Sequence, residues 1–408
     1  TKDEMLTVRR TEHGPVVAER GGAPIAMRVA ALDRPKMFEQ FWRMGLAKTF
    51  DEWRTAMRMQ QLPIFHTMYA DRDGHIMYVY NAAPPVRAHG DYAFWSGVIP
   101  GDRSALIPGD QIVPFDQLPQ AIDPPSGWVQ NSNDSPWTST YPVMIDPSKY
   151  LAYIAPPPSH TQRSQRGIRL LSEPGKITLA QLKEMKLSTR SEIADHFVDD
   201  LVAAARQHGG AKAKQAADIL ATWDRHGNNT SDGTFLFLRF IQGAGNGFTS
   251  IGGYAVPPDP RQPLTTPKGF ADPAKAAALL EREARRLEDE YDTMHVIWGD
   301  VIRLRKGLLD LPGNGLPGTL GAIRTINPGP FVNGKAEIVG GDTFYAVLEF
   351  QKNAPPIGEA LLGYGNWSRA GSKHVDDQLA LASQKKMRPI MRSRAVIEKS
   401  LESRTVFP

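Results

Sequence analysis

The sequence carries β-type patterns at both ends of the chain and helical patterns between them. Short apolar bursts typical of antiparallel strands fill residues 4–32, and another strand is predicted over residues 344–350. Helical spacing dominates residues 163–242 and 272–295. Because strands need partners, we expect those of one end to pair with those of the other, which predicts a single interleaved α+β body. Its predicted parts are a β-rich part at 1–158, a mainly helical part at 159–310, and a returning strand with C-terminal helices at 311–408.

Local signals bound several elements within this outline. Apolar spacing predicts helices over Met37–Leu46 and Asp51–Met59, the second capped by Asp51. Two apolar runs on either side of Asp71–Gly74 predict a hairpin over Ile64–Tyr80, since a glycine readily adopts a positive φ. Residues 311–342 are rich in glycine and are expected to form a loop.

Residues 127–137 hold an unusual run of short polar side chains. Trp128–Gln130 is predicted as a short buried strand that leads into Asn131, Asn133 and Asp134 and stops at Pro136. One interpretation is an Asx-rich turn, which is the commoner use of such residues. The other is an asparagine whose amide points at an oxygen that becomes negative during acyl transfer. The local sequence leaves both open.

Composition excludes several classes of function. Lys and Arg exceed Asp and Glu by only 48 − 44 = 4 and are scattered, so the chain does not have the basic patch of a nucleic-acid-binding protein. It has no cysteine, which excludes disulfides, thiolate catalysis and zinc–thiolate sites. No apolar run reaches the ~18 residues of a membrane span. No phosphate-loop or dinucleotide motif is present, so no cofactor is predicted.

Several segments resemble those of one enzyme family. Asn131–Trp137 is similar to the asparagine-rich segment of the penicillin acylase family, and especially of its acyl-homoserine-lactone acylase branch. The resemblance runs from about Leu6 to Phe407 and is carried by further segments in the family's order. These are Arg10–Val17, Tyr69–Ile76, Pro114–Pro119, Tyr364–Ser368 and Gly371–Leu379.

This resemblance implies a fold and an activity. The implied fold is the four-layer αββα sandwich of N-terminal-nucleophile hydrolases, with a large helical insertion and completed by other chains. The implied activity is an amidohydrolase that removes the acyl chain from N-acyl-homoserine lactones, with deacylation of β-lactams such as penicillin G as a related reaction. The alternatives are a penicillin G or glutaryl-cephalosporin acylase, or a non-catalytic binding protein on the same fold. A periplasmic or secreted location is also implied.

The family's nucleophile is not recognisable in this sequence. These enzymes use the serine at the new N-terminus of a self-cleaved large chain, with its own α-amine as the base. The start at Thr1 does not resemble that terminus, and the Arg10–Gly14 segment normally lies well inside the large chain. We therefore expect the C-terminal part of a large subunit, partnered by a small α-chain and by an N-terminal β-chain fragment that carries the serine. The alternative is that Thr1 itself is the nucleophile.

The resemblance also suggests catalytic residues. Asn133 matches the family's side-chain donor to the oxyanion, whereas Asn131 is the competing choice and more typical of a structural turn. Arg163 matches the arginine that orders the active-site network. Arg166 and Arg169 follow closely, so an ordinary surface role for Arg163 stays open.

Aromatic residues are the candidates for the acyl pocket. Phe41, Trp42 and Phe65 fall near family positions that line it, although aromatics at such spacing also form ordinary cores.

Two histidine–carboxylate groups could suggest a metal, but simpler explanations exist. The first is better explained by the hairpin turn and the second by a capped helix after Ser372. A family calcium position falls near Ala152, whose side chain cannot coordinate, so no metal is predicted. The two groups are His66, Asp71, Asp73 and His75, and His374, Asp376 and Asp377.

Overall fold

The computed structural model describes residues 7–30, 32, 34–61, 64–107, 109–173, 175–366, 369 and 371–407. The chain divides into two compact units, Thr1–Ser159 and His160–Pro408. This boundary lies next to the predicted change from the β-rich to the mainly helical part. Thr1 and the start of the predicted β-rich part, up to residue 6, lie outside the described residues. Among those described, no helix is both long and apolar enough to cross a membrane.

The described residues of the first unit form two three-stranded sheets and three α-helices. One sheet has the order β1-β2-β3 and the other β4-β5-β6. The strands are β1 (Arg10–Thr11), β2 (Gly14–Arg20), β3 (Ala23–Ala26), β4 (Ile64–Ala70), β5 (Ile76–Ala82) and β6 (Gln120–Ile122). The helices are α1 (Met37–Leu46), α2 (Phe50–Met57) and α3 (Tyr92–Trp95).

The cap of α2 differs from the prediction. Thr49 is the N-cap residue, and its hydroxyl accepts a hydrogen bond from the Glu52 backbone N–H. The prediction of Asp51 as the cap is therefore wrong, because the preceding segment already offers a hydroxyl in extended geometry. Asp51 instead lies in the first turn, where its charge favours the positive end of the helix.

The β4–β5 hairpin forms where the sequence predicted it. Its register pairs Phe65 with Asn81 and continues without interruption to the turn. One carboxylate oxygen of Asp71 accepts hydrogen bonds from the backbone N–H groups of Asp73, Gly74 and His75. The carboxylate thus closes a turn, and no group of metal-ligating side chains occurs in the described part of the chain.

The second unit combines a helical core with three sheets. The helices are α4 (Gln162–Ser172), α5 (Leu179–Lys186), α6 (Glu192–His208), α7 (Ala211–Thr222), α8 (Thr234–Ala244), α9 (Pro273–Tyr291), α10 (Trp298–Val301), α11 (Leu379–Ser383) and α12 (Arg394–Lys399). The strands are β7 (Tyr254–Val256), β8 (Lys268–Phe270), β9 (Ile302–Lys306), β10 (Leu309–Pro312), β11 (Ile326–Val332), β12 (Lys335–Gly341), β13 (Phe344–Glu349), β14 (Ile357–Leu362) and β15 (Arg388–Pro389).

Several helices of this unit begin at side-chain caps. Thr178 and Gln181 form a reciprocal capping box at α5, and Ser191 caps α6. Helices α6, α7, α8 and α9 then bury one continuous apolar core, in which Phe197 and Phe240 are fully enclosed. Aromatic rings pack edge to face across it, as between Phe197 and Phe248 at 4.8 Å.

The sheets of the second unit correct two predictions. Residues 311–342 are not a loop, because β11 and β12 form a hairpin whose turn, Asn333–Gly334, has positive φ at both residues. The sheet orders are β7-β8, β10-β9-β12-β11 and β13-β14-β15, so each described sheet draws its strands from one unit. The expected pairing between strands of the two chain ends is therefore not found in the described residues, and the single-body organisation stays a prediction.

The second histidine–carboxylate group does not start a helix. Ser372 accepts a hydrogen bond from the His374 backbone N–H, but α11 begins only at Leu379. The predicted helix after Ser372 is therefore wrong. The His374 ring instead contacts Asp377 at 2.8 Å and Glu402 at 3.1 Å, and these hydrogen bonds raise its pKa.

Candidate active site

The asparagine-rich segment folds into a tight turn built by Asn131. Its side-chain oxygen accepts a hydrogen bond from the Asn133 backbone N–H at 2.8 Å, and its NH2 group donates to the Asp134 carbonyl at 3.2 Å. The amide of Asn131 is therefore used inside the turn, as expected of the structural residue. Asn133 lies at the exposed position of this turn with φ of 66°, in the left-handed region that asparagine tolerates better than most residues.

The strand predicted before this turn is absent. Trp128–Gln130 is not part of a sheet, and the Gln130 backbone N–H donates to the carbonyl of Ser139. The Gln130 side chain donates to the carbonyl of Thr138. These contacts within one loop replace the ladder of a strand, so the turn is held by its own downstream residues.

The hairpin places His66 close to this turn. His66 Nδ1 and the Tyr78 hydroxyl share a hydrogen bond of 2.7 Å, and the His66 ring also packs on Tyr80. Burial lowers the pKa of His66, whereas the Asp134 carboxylate acts in the opposite direction. Burial also raises the pKa of Tyr78, and Tyr80 and Asp134 add to this effect. Asp134, the residue after Asn133, thus acts electrostatically on both rings.

Phe65 and His66 lie on opposite faces of the hairpin, because neighbouring residues of a strand alternate. Phe65 shares its face with Tyr69, against which Trp53 packs at 4.6 Å between ring centroids. Phe65 is 53% exposed. The strand pattern could have predicted this separation, which assigns the two residues to different surfaces.

The aromatic residues of α1 are exposed. Phe41 is 49% exposed and Trp42 69%, and Phe38 on the preceding turn is 80% exposed. Phe41 and Trp42 are therefore not core residues of the first unit, in contrast to the interpretation of them as ordinary core aromatics. Phe38 was missed by the sequence analysis, although its i,i+4 spacing from Trp42 places both on one side of the helix.

Arg163 lies in the first turn of α4, in the second unit. Thr161 caps this helix by accepting a hydrogen bond from the Ser164 backbone N–H. The Arg163 side chain lies against Gly318, where a methyl group would come within 3.3 Å of Nε. Arg163 is partly buried, and both its proposed role and an ordinary surface role stay predictions.

The two neighbouring arginines belong to a buried ion-pair network. The Arg169 guanidinium contacts the Glu192 carboxylate at 2.6 Å, and Arg166 lies between Glu192 and Asp195. Burial alone would raise the pKa of Glu192, but the His196 ring at 3.3 Å, the hydrogen bonds from Arg169 and the charges of Arg169 and Arg166 outweigh it and bring the pKa to about 2. Arg166 and Arg169 thus join α4 to α6. Arg163 instead lies against Gly318.

The arrangement offers donors and an apolar surface, but the structure assigns no nucleophile. In the first unit Asn133 and the aromatic residues Phe41, Trp42 and Phe65 are exposed. Asn133 and the three aromatic candidates belong to that unit, whereas Arg163 belongs to the second. The residues that sequence reasoning missed are Phe38 and His66, the latter with Asp134 beside it.

Comparisons with known proteins agree with these observations. The signature of the family described as penicillin amidase matches residues 1–399. An acyl-homoserine lactone acylase PvdQ from Pseudomonas fluorescens Pf-5 is 25% identical over 87% of this chain and 48% of its own length. The PvdQ of Pseudomonas fluorescens Pf0-1 is also 25% identical, over 94% of this chain and 53% of its own length.

A solved structure shows the same fold. A thermostable penicillin G acylase from Alcaligenes faecalis superposes with a TM-score of 0.63 and 18% identity, over all of this chain and 79% of that one. The predicted α+β fold of N-terminal-nucleophile hydrolases is thereby confirmed. The chain spans about half the length of the curated relatives it matches. The match over residues 1–399 shows that this chain belongs to the penicillin amidase family.

Proposed function

We propose that the protein to which this chain belongs is an amidohydrolase that removes the acyl chain from N-acyl-homoserine lactones. A nucleophilic serine attacks the amide carbonyl, the carbonyl oxygen becomes negative, and the amine leaves with a proton to give an acyl-enzyme that water hydrolyses. Asn133 is the proposed side-chain donor to that oxygen. The observation that carries this assignment is the turn in which Asn131 is used internally and Asn133 lies exposed.

The proposed nucleophile is an N-terminal serine on another polypeptide of the same precursor. The support is that this chain spans about half the length of the curated relatives it matches. The proposed partners are a small α-chain and an N-terminal β-chain fragment. Arg163, held against Gly318 at the start of α4, is proposed to order the network around the serine. A periplasmic or secreted location stays a prediction.

Denaturing mass spectrometry of the active protein tests the split-chain arrangement. We expect the 45.0 kDa chain together with at least two further polypeptides. A single 45.0 kDa species with full activity that is lost on Thr1→Ala would contradict it and would identify Thr1 as the nucleophile.

The proposed substrate is supported by the relatives' stated activity and by the exposed aromatic surface of α1. A fatty acyl chain needs an apolar lining, which Phe41, Trp42 and Phe65 can supply. The decisive experiment ranks a series of acyl-homoserine lactones of increasing chain length by kcat/KM. No turnover by the assembled protein on any acyl amide, including a chromogenic nitroanilide, would leave a non-catalytic binding protein as the explanation.

The second candidate function is a penicillin G acylase. The observation that favours it is the fold similarity to the Alcaligenes faecalis enzyme over the whole chain. Penicillin G and a glutaryl cephalosporin therefore belong in the same substrate panel. A higher kcat/KM for either than for every lactone would reverse the order of the two proposals.

A further inference from the structure

A cavity of about 700 Å³ lies beside the ion pairs that join α4 to α6. Five cationic side chains line this cavity, and they are Arg166, Arg169, Arg190, Arg225 and Lys268. All five belong to the second unit, and Lys268 is exposed, so the cavity reaches solvent. Its volume lies in the range of sites that bind small molecules.

Two carboxylates of the network compensate only part of this positive charge. The Asp195 carboxylate contacts Arg190 at 2.8 Å and Arg166 at 3.2 Å. Arg225 lies 3.6 Å from the same carboxylate. Glu192, the second carboxylate, contacts both arginines of α4. Four guanidinium groups therefore share two carboxylates, and two positive charges are not matched inside the network.

The other acidic groups near the cavity are exposed. Asp199 contacts Arg225 at 2.6 Å, but its side chain is 78% exposed. Glu173 lines the cavity and is exposed as well. Water and salt screen such charges, so they offset the four guanidinium groups less than a buried carboxylate does.

The hydrogen bonding of Arg166 gives an independent indication. Arg166 is 7% exposed, and its Nη1 group donates towards Glu192 and Asp195. Its buried Nε–H has no hydrogen-bond partner among the described residues. A buried charged donor without a partner is costly, which makes such a group a mark of a missing acceptor. The protein therefore does not use all the donors of an arginine that lines this cavity.

We propose that this cavity binds a phosphate group, as the free ion or as a small phosphate monoester. Guanidinium groups match the oxygens of a phosphate in paired hydrogen bonds. A phosphate monoester carries about −1.5 to −2 charges at pH 7, which fits two unmatched positive charges better than a single carboxylate does. Neither Asn133 nor Arg163 is among the residues that line the cavity, so the inference is independent of the proposed hydrolysis.

Equilibrium dialysis of the assembled native protein against radiolabelled inorganic phosphate tests the proposal. Sodium chloride in excess holds the ionic strength constant, so a general attraction of anions does not give saturation. We expect saturable binding of one phosphate per copy of this chain. Arg190→Gln should raise the Kd by about 10-fold or more, because it removes a cation that can hold two phosphate oxygens. Binding that does not saturate would overturn the proposal.

A charge-matched pair of variants covers the case in which Arg190→Gln does not fold. Lys268 and Lys214 are both exposed, but Lys268 lines the cavity whereas Lys214 lies on α7. Lys268→Gln should raise the Kd by about 3-fold, as expected for one exposed charge, and Lys214→Gln should leave it unchanged. Equal Kd values for these two variants would overturn the proposal.

Competition then distinguishes the two sources of the phosphate group. Glycerol phosphate should displace the label at a lower concentration than unlabelled phosphate if the site takes a monoester, and at a higher one if it takes the free ion. None of these measurements uses turnover. Phosphate binding without turnover therefore supports the site while it contradicts the proposed function.

Discussion

Each unit contains a carboxylate held by two arginines, and the two sites differ in burial. In the first unit Asp116 accepts hydrogen bonds from Arg54 and Arg58 and is half exposed. In the second unit Glu192 contacts Arg166 and Arg169, and its side chain is completely buried. A carboxylate bound by two arginines therefore lies at the surface of the first unit and in the interior of the second.

This difference extends to the units as a whole. The first unit leaves Asn133, Phe41 and Trp42 exposed, which are the residues proposed to bind substrate and its developing charge. The second unit encloses the Glu192 carboxylate and the aromatic rings that pack around α6. We infer that substitutions of these exposed residues affect chemistry more than folding. Substitutions in the buried network of Glu192 should affect folding more than chemistry.

The largest expected effect is on the stability of the second unit. Glu192→Gln removes the charge that compensates Arg169 in a buried site, so the free energy of unfolding should fall by about 3–5 kcal/mol. Urea unfolding followed by tryptophan fluorescence measures it. A loss below 1 kcal/mol would show that burial does not distinguish the two sites.

The same network should be sensitive to acid. The folded pKa of Glu192, about 2, lies below its ordinary value of 4.5, so its contribution is complete above pH 4.5 and is lost as the pH falls toward 2. Acid unfolding of the wild type should therefore show a component in this window that Glu192→Gln lacks. Circular dichroism titrations of both proteins provide the comparison, and superimposable acid transitions would contradict it.

A large kinetic effect is expected in the first unit. Asn133→Ala should lower kcat of the assembled enzyme by ~10²–10³-fold, because the amide acts on the developing oxyanion. It should also cost about 1–2 kcal/mol of stability, because alanine adopts the positive φ of this position less readily than asparagine. Asn131→Ala should lower kcat less and stability more, since its side chain closes the turn. If the two variants exchanged these effects, the assignment of the donor would be wrong.

A smaller effect is expected at the apolar surface of α1. Trp42→Ala should reduce kcat/KM by about 10-fold or more for a long-chain lactone, and less for a short-chain one. Val17→Ala, at an exposed apolar residue of β2, is the control and should leave both values unchanged. A uniform loss for all chain lengths would contradict a role in binding the acyl chain.

The smallest effect is expected at the exposed member of the carboxylate pair. Asp116→Asn should change the free energy of unfolding by about 0–1 kcal/mol, because solvent screens its ion pairs. The same urea titration as for Glu192→Gln measures it. A loss as large as that of Glu192→Gln would remove the contrast between the units.

The sequence predicted the elements whose signals are local and repeated. The hairpin at β4–β5 and the helices α1, α6 and α9 follow from apolar periodicity with recognisable turns or caps. The β11–β12 hairpin was missed although Asn333–Gly334 is a strong turn signal, because the surrounding glycines suggested a loop.

The candidate site was predictable only in part. The resemblance supplied Asn133 and Arg163, and the structure supplied the geometry that separates Asn133 from Asn131. The proximity of His66 to Asp134 depends on how a hairpin packs against a distant loop, which no local pattern encodes. The same holds for the burial of Glu192 between α4 and α6.

The positive φ of Asn133 has a consequence for the sequences that this position can accept. Glycine, asparagine and aspartate adopt this conformation most readily, so the backbone alone favours these three residues. Glycine keeps the shape but has no amide, and aspartate would present a negative charge to another negative charge. A saturation library at this position, sorted first for folding and then for turnover, should therefore contract from a few residues to one. Shape and reactivity would select the same side chain for unrelated reasons.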